Sequence, residues 1–71
     1  LPGLTEKQER IATFLTDHVD TKTYFKSRLI GEELGMSAKE VGANIRAVRD
    51  ATPLTIEKWG YSSGTTWKVT A

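Results

Sequence analysis

The chain has 71 residues, which is enough for one domain with a single hydrophobic core and too few for a second lobe or a deep cleft. Charged residues make up 27% and apolar residues 38%, a composition that argues against disorder. The lack of cysteine excludes cysteine-ligated zinc fingers and favours a cytoplasmic location. The net charge is +1, and the sequence contains no apolar run of about 18 residues that could span a membrane.

The first predicted helix covers about residues 5–19. Thr5 is its expected N-cap, and Gln8 three residues later completes a capping box. Apolar residues then recur at helical spacing at Ile11, Phe14, Leu15 and Val19. A turn is expected at residues 20–23. A short strand should follow at Tyr24 and Phe25, whose side chains are expected in the core or bracing a helix. The sequence contains no internal repeat or linker.

The second and third predicted helices cover residues 27–34 and 37–51. We expect Ser27 to cap the second helix and Gly35 to end it, since glycine tolerates the positive φ found just past a helix. Ser37 and Glu40 form a second capping box. The expected buried positions are Leu29, Ile30 and Leu34 in the second helix and Val41, Ile45 and Val48 in the third.

The last segment, residues 54–70, is predicted to form a two-stranded β-hairpin. Residues 60–64 are rich in turn formers, and the strand after them alternates, with Trp67 and Val69 on one side. A lone hairpin is marginal in water, so it should pack on the helices. The fold class is therefore α+β, with a three-helix core followed by a hairpin.

Two glycines explain how the second and third helices meet. Gly31 lies four residues before Gly35, on the side where we expect the helices to approach, and a side chain there would push them apart. A glycine inside a helix costs about 1 kcal/mol relative to alanine, so its presence needs such a reason. The segment therefore has the plan of a helix-turn-helix motif.

This packing leaves the opposite face of the third helix free for a ligand. Small residues at Gly42 and Ala43 would let the helix approach a major groove closely, where Arg46 could read guanine and Asn44 adenine. The cations best suited to phosphates are Lys39 and Arg49, and the helix N-terminus at Ser37 also favours phosphate. Structural alternatives are a solvated face for the cations and a packing or capping role for Asn44.

The hairpin supplies further donors: Lys58, Ser62, Ser63 and Thr65. Such groups can contact phosphates or enter a minor groove, although the Ser/Thr residues also suit turn chemistry. Trp67 is expected in the core. Trp59 either supports the hairpin or, with Tyr61, stacks on single-stranded bases.

The order of elements and the phrases TYFKSRLIGEELGMSAKEVGANI and EKWGYSSGTTWKVT resemble winged helix-turn-helix DNA-binding domains of bacterial and archaeal regulators. Within that group the chain looks most like short archaeal proteins without an assigned function, many from halophiles. The resemblance covers residues 5–70, implies that residues 37–50 form the recognition helix, and makes the hairpin the wing. The low net charge and the acidic Glu40 and Asp50 beside the recognition face depart from the basic members.

The predicted function is double-stranded DNA binding in transcription regulation by one domain, residues 1–71. Specific binding by so small a chain would require a homodimer on paired half-sites or a larger parent chain. The alternatives are a protein-interaction winged helix without DNA contact, which the low net charge favours, and RNA or single-strand binding. His18 lacks a second His or any Cys, and no nucleophile–base pair or phosphate loop is present, so we expect no enzyme, metal or cofactor.

Overall fold

Three helices and a three-stranded antiparallel sheet form the described parts of the chain, residues 3–60 and 65–71, in the computed structural model. The elements in chain order are α1 (Glu6–His18), β1 (Tyr24–Lys26), α2 (Ser27–Leu34), α3 (Ala38–Ala51), β2 (Thr55–Gly60) and β3 (Thr66–Thr70). The α+β class, the three helices and the pairing of the last two strands confirm the prediction.

Capping boxes begin α1 and α3 as predicted. The Thr5 hydroxyl accepts from the Gln8 backbone N–H at 3.3 Å, and Gln8 Oε1 accepts from the Thr5 N–H at 3.0 Å. The Ser37 hydroxyl and the Glu40 carboxylate make the same exchange at the start of α3, at 3.1 and 3.2 Å. Two backbone N–H donors are thereby satisfied at the N-terminus of α1 and two at that of α3, which fixes where each helix begins.

The sheet has the order β1-β3-β2, so the short strand β1 completes it on the far side of β3. Trp67 of β3 lies opposite Phe25 of β1, and Val69 lies opposite Ile56 of β2. All four side chains are buried, so this face of the sheet covers the helices. The core continues into the helices through Ile11, Leu15, Ile30, Val41, Ile45 and Val48, each fully buried.

Three local expectations were wrong. Ser27 does not cap α2: Lys26 holds the N-cap position without a side-chain bond, and the buried Ser27 hydroxyl accepts from Trp67 Nε1 at 2.7 Å. Leu29 is 38% exposed, because the eight-residue helix α2 buries only a narrow stripe through Ser27, Ile30 and Gly31. Tyr24, expected in the core or bracing a helix, is 45% exposed because strand alternation buries only Phe25 in β1.

Candidate nucleic-acid interface

The turn between α2 and α3 sets the angle between these two helices. Gly35 has φ +70°, in the left-handed region that favours glycine, and the Met36 N–H donates to the Gly31 carbonyl at 2.8 Å. A Cβ on Gly31 would lie 2.3 Å from the Met36 carbonyl oxygen. The need for glycine at this position is therefore confirmed, but the atoms that require it belong to the turn and not to α3.

Helix α3 presents three differently occupied sides. Val41, Ile45 and Val48 face the core. A second side faces α1, and the third is exposed. The exposed side, called here the outer face, contains Lys39, Ala43, Arg46 and Asp50, which recur at spacings of four, three and four residues.

Arg46 lies near the middle of the outer face. Its side chain is exposed, and neither hydrogen bond nor ion pair joins it to another residue within 3–60 and 65–71. The same holds for Lys39, seven residues or about two turns earlier. Two cations on this face are therefore available to an external anion, and the intervening Ala43 adds little bulk.

Side chains of α1 bond to the polar groups on the second side of α3. Asn44 Oδ1 accepts from Gln8 Nε2 at 3.0 Å, and its Nδ2 donates to the Glu40 carbonyl at 2.7 Å. Asn44, a predicted adenine reader, is half-buried and instead has the packing role that the sequence also allowed. Its amide thus tethers α3 to α1.

Glu40 is engaged by the same helix. Its carboxylate pairs with Lys7 Nζ. The Lys7 hydrogen bond, followed by the bond from the Ser37 N–H and the Lys7 charge, holds the pKa of Glu40 below its ordinary value of 4.5. The negative charge that flanks the outer face is therefore matched by a cation from α1.

The remaining residues predicted to contact DNA differ in how exposed they are and in whether their polar groups are already bonded. Arg49 is exposed and its Nε donates to the neighbouring Asp50 carboxylate at 3.2 Å, which leaves the terminal guanidinium nitrogens for other acceptors. The Ser37 hydroxyl is used as a cap. Lys58 is exposed in β2, and Thr65 is half-buried just before β3. Ser62 and Ser63 lie outside the described residues.

Two cations that the sequence reading missed lie at the start of α2. Lys26 and Arg28 are exposed on either side of Ser27, whose N–H donates to the Thr65 carbonyl at 2.9 Å. Lys26 also pairs with Thr66 across β1 and β3. Both cations therefore lie beside the beginning of β3, where the predicted wing returns to the sheet.

A sequence signal for these cations existed. The helix dipole favours acidic residues in the first turn, yet α2 has none there and instead has cations around its first residue. An unfavourable placement of this kind is a reason to ask whether an anionic ligand compensates for it.

The tryptophans separate as the strand pattern suggested. Trp67 is 6% exposed, as expected for a core residue. Trp59 is 57% exposed on the outer surface of the sheet, where its ring centre lies 5.5 Å from that of Tyr24 and 5.2 Å from Lys68 Nζ. Trp59 thus packs on sheet side chains, in line with a supporting role.

Within residues 3–60 and 65–71, no group of three His, Cys, Asp or Glu side chains is arranged to hold a metal ion. The same residues contain no helix with the length and apolar character needed to cross a bilayer. No curated protein and no solved structure matches the chain. A family described as a domain of unknown function, DUF7123, matches residues 2–71, nearly the entire sequence, and the chain therefore belongs to the DUF7123 family.

Proposed function

We propose that the chain is a winged helix-turn-helix domain that binds double-stranded DNA, with α3 in a major groove and the connection between β2 and β3 as the wing. The observation that carries the proposal is the outer face of α3. It presents Lys39 and Arg46 without internal partners among the described residues, beside the small Ala43. A major groove admits one helix, and an arginine at its centre can bond guanine with two donors.

The proposal gives the cations of α3 separate roles. Arg46 is assigned to base edges, and Lys39 and Arg49 to phosphates. Asn44 is omitted from the contact set, because both ends of its amide are already bonded within the chain. Its contribution is to hold α3 at a fixed angle.

The start of α2 extends the contact surface toward the wing. Because the Ser27 N–H is bonded to Thr65, the cations Lys26 and Arg28 and the residues entering β3 are held together. A DNA backbone that passes the wing would therefore also pass the α2 N-terminus, where cations and backbone N–H groups suit phosphate. Lys58, exposed in β2 on the opposite side of β3, is a separate phosphate contact in this proposal.

Fluorescence anisotropy with a mixed-sequence duplex tests the proposal. We expect binding that weakens as salt rises, with a logarithmic slope of about −0.9 per phosphate contacted. Arg46→Glu should abolish binding at moderate salt. Lys39→Gln should weaken it similarly for all sequences and reduce the slope by about one unit.

A matched control separates a local effect from a change in total charge. Lys22→Glu changes the net charge as much as Arg46→Glu does, but Lys22 lies between α1 and β1, over the Phe25 ring. It should leave most of the affinity intact. Equal losses from both variants, or no binding at about 50 mM salt, would overturn the proposal in favour of a protein-interaction domain.

The size of the chain limits what it can do alone. One recognition helix with a central arginine offers few base contacts, so the proposed role in transcription regulation includes a homodimer on paired half-sites or a larger parent chain. Analytical ultracentrifugation with and without a palindromic duplex distinguishes the two: paired binding of free chains on the duplex supports the homodimer.

A further inference from the structure

A groove between α1 and α2, called here the α1–α2 groove, is not used by the proposed DNA contact. One part of it has a volume of about 440 Å³ and is lined by α1 residues together with Leu34. A smaller part of about 210 Å³ continues past Leu29 and shares Phe14 with the first. Phe14 and Leu34 are only half-buried and Leu29 is exposed, so the groove offers apolar surface to a partner.

The border of the groove is predominantly acidic. It contains four carboxylates, from Glu6, Glu9, Asp17 and Glu33, and one arginine and one lysine, Arg10 and Lys22. Arg10 donates to the Leu34 carbonyl at 2.7 Å, at the C-terminal end of α2. An occupant would therefore meet apolar side chains along the groove and an excess of negative charge at its edges.

We infer that the α1–α2 groove docks a basic amphipathic helix of a partner protein. Apolar residues of such a helix at i, i+3, i+4 and i+7 would lie against Phe14, Leu29 and Leu34. Flanking Lys or Arg residues would meet Asp17 and Glu33. The proposal is independent of DNA binding, because the groove shares no residue with the outer face of α3.

Two arrangements of a second copy of the chain fit the groove poorly. A two-fold dimer through this surface would place its acidic border against itself, and like charges at an interface are unfavourable. A head-to-tail contact through the outer face of α3 would bring in the polar Lys39, Arg46 and Asp50, which give Leu29 nothing apolar to pack against. The apolar lining and the acidic border therefore favour a basic amphipathic partner over these two dimers.

Two synthetic peptides with the same helical leucine pattern test the inference, one with lysine and the other with glutamate at the polar positions. In ¹⁵N–¹H spectra of the whole chain, the Leu/Lys peptide should shift the amides of Phe14, Leu29 and Leu34. It should bind at least about ten-fold more tightly than the Leu/Glu peptide. Leu29→Ser should weaken binding while leaving the duplex affinity unchanged.

Charge variants make the test specific for the border. Asp17→Lys should weaken the Leu/Lys peptide several-fold, whereas Glu57→Lys, the same charge change on the sheet, should not. Equal binding of the two peptides, shifts centred on α3, or no binding would overturn the inference. A concentration-dependent dimer that Leu29→Ser dissolves would also overturn it, because the groove would then belong to a second copy.

Discussion

Replacing Gly31 by alanine has two opposite effects on the free energy of unfolding, and their sizes can be compared. Alanine is favoured over glycine inside a helix by about 1 kcal/mol. The new Cβ, however, would lie 2.3 Å from the Met36 carbonyl oxygen, about 1 Å closer than a carbon and an oxygen ordinarily approach. Overpacking costs about 1–3 kcal/mol, and the upper end applies where the opposing atom belongs to the backbone.

The Met36 carbonyl cannot move alone. The Met36 N–H is bonded to Gly31, Gly35 holds the left-handed turn, and Ser37 begins α3. We therefore expect Gly31→Ala to lose about 2 kcal/mol net, after the helix preference of about 1 kcal/mol is subtracted from a clash of about 3 kcal/mol. With an m-value of about 1 kcal/mol/M for so small a domain, the urea midpoint should fall by about 2 M.

Gly42→Ala is the matched control. Gly42 also lies inside a helix, but a Cβ there meets no heavy atom within 4 Å. Only the helix preference remains, so the midpoint should rise by up to about 1 M. Urea titrations followed by circular dichroism measure both variants. A Gly31→Ala midpoint equal to or above that of the unmodified chain would refute the steric reasoning.

Two further perturbations probe contacts between distant segments. Ser27→Ala leaves the buried Trp67 N–H without its acceptor and should cost about 1–3 kcal/mol in urea unfolding, while adding Trp67→Phe should cost less than the sum of the single changes. The lowered pKa of Glu40 predicts a contribution to stability that is present above pH 4.5 and is lost as the pH falls through the lower folded-state pKa. An NMR titration should place the Glu40 midpoint below 4.5, and Lys7→Met should raise it; a midpoint that Lys7→Met leaves unchanged would contradict the assigned cause.

The features that the sequence predicted are those that depend on near neighbours. A capping box needs two residues three positions apart, so Thr5 with Gln8 and Ser37 with Glu40 could be read directly. Gly35 follows from the same local logic. Gly31 could be identified because a glycine inside a helix is unfavourable unless something requires it.

The features that escaped prediction depend on how distant segments cross. The Ser27–Trp67 bond spans 40 positions, and the Gln8–Asn44 bond spans 36. Neither partner's spacing within its own element reveals the other. Ser27 therefore resembled an N-cap, and the sequence left Asn44 open between an adenine-reading role and a packing or capping role. Leu29 was misplaced because an eight-residue helix has too few turns for its sequence to define the width of the buried stripe.

The low net charge looks different once the charges are placed on elements. Seven basic and three acidic residues lie in one group, which consists of Lys26 and Arg28 at the start of α2, helix α3 and the sheet. Three basic and six acidic residues lie in the other group, which consists of α1, the turn after it and the C-terminal part of α2. The three acidic residues of the first group each have a basic neighbour: Glu40 pairs with Lys7, Asp50 pairs with Arg49, and Glu57 lies opposite Lys68 in the sheet. A near-neutral total therefore conceals two oppositely charged regions, and a polyanion responds to the local field more than to the sum. The same segregation underlies both proposals, because it favours an anionic ligand at α3 and a basic partner at the α1–α2 groove.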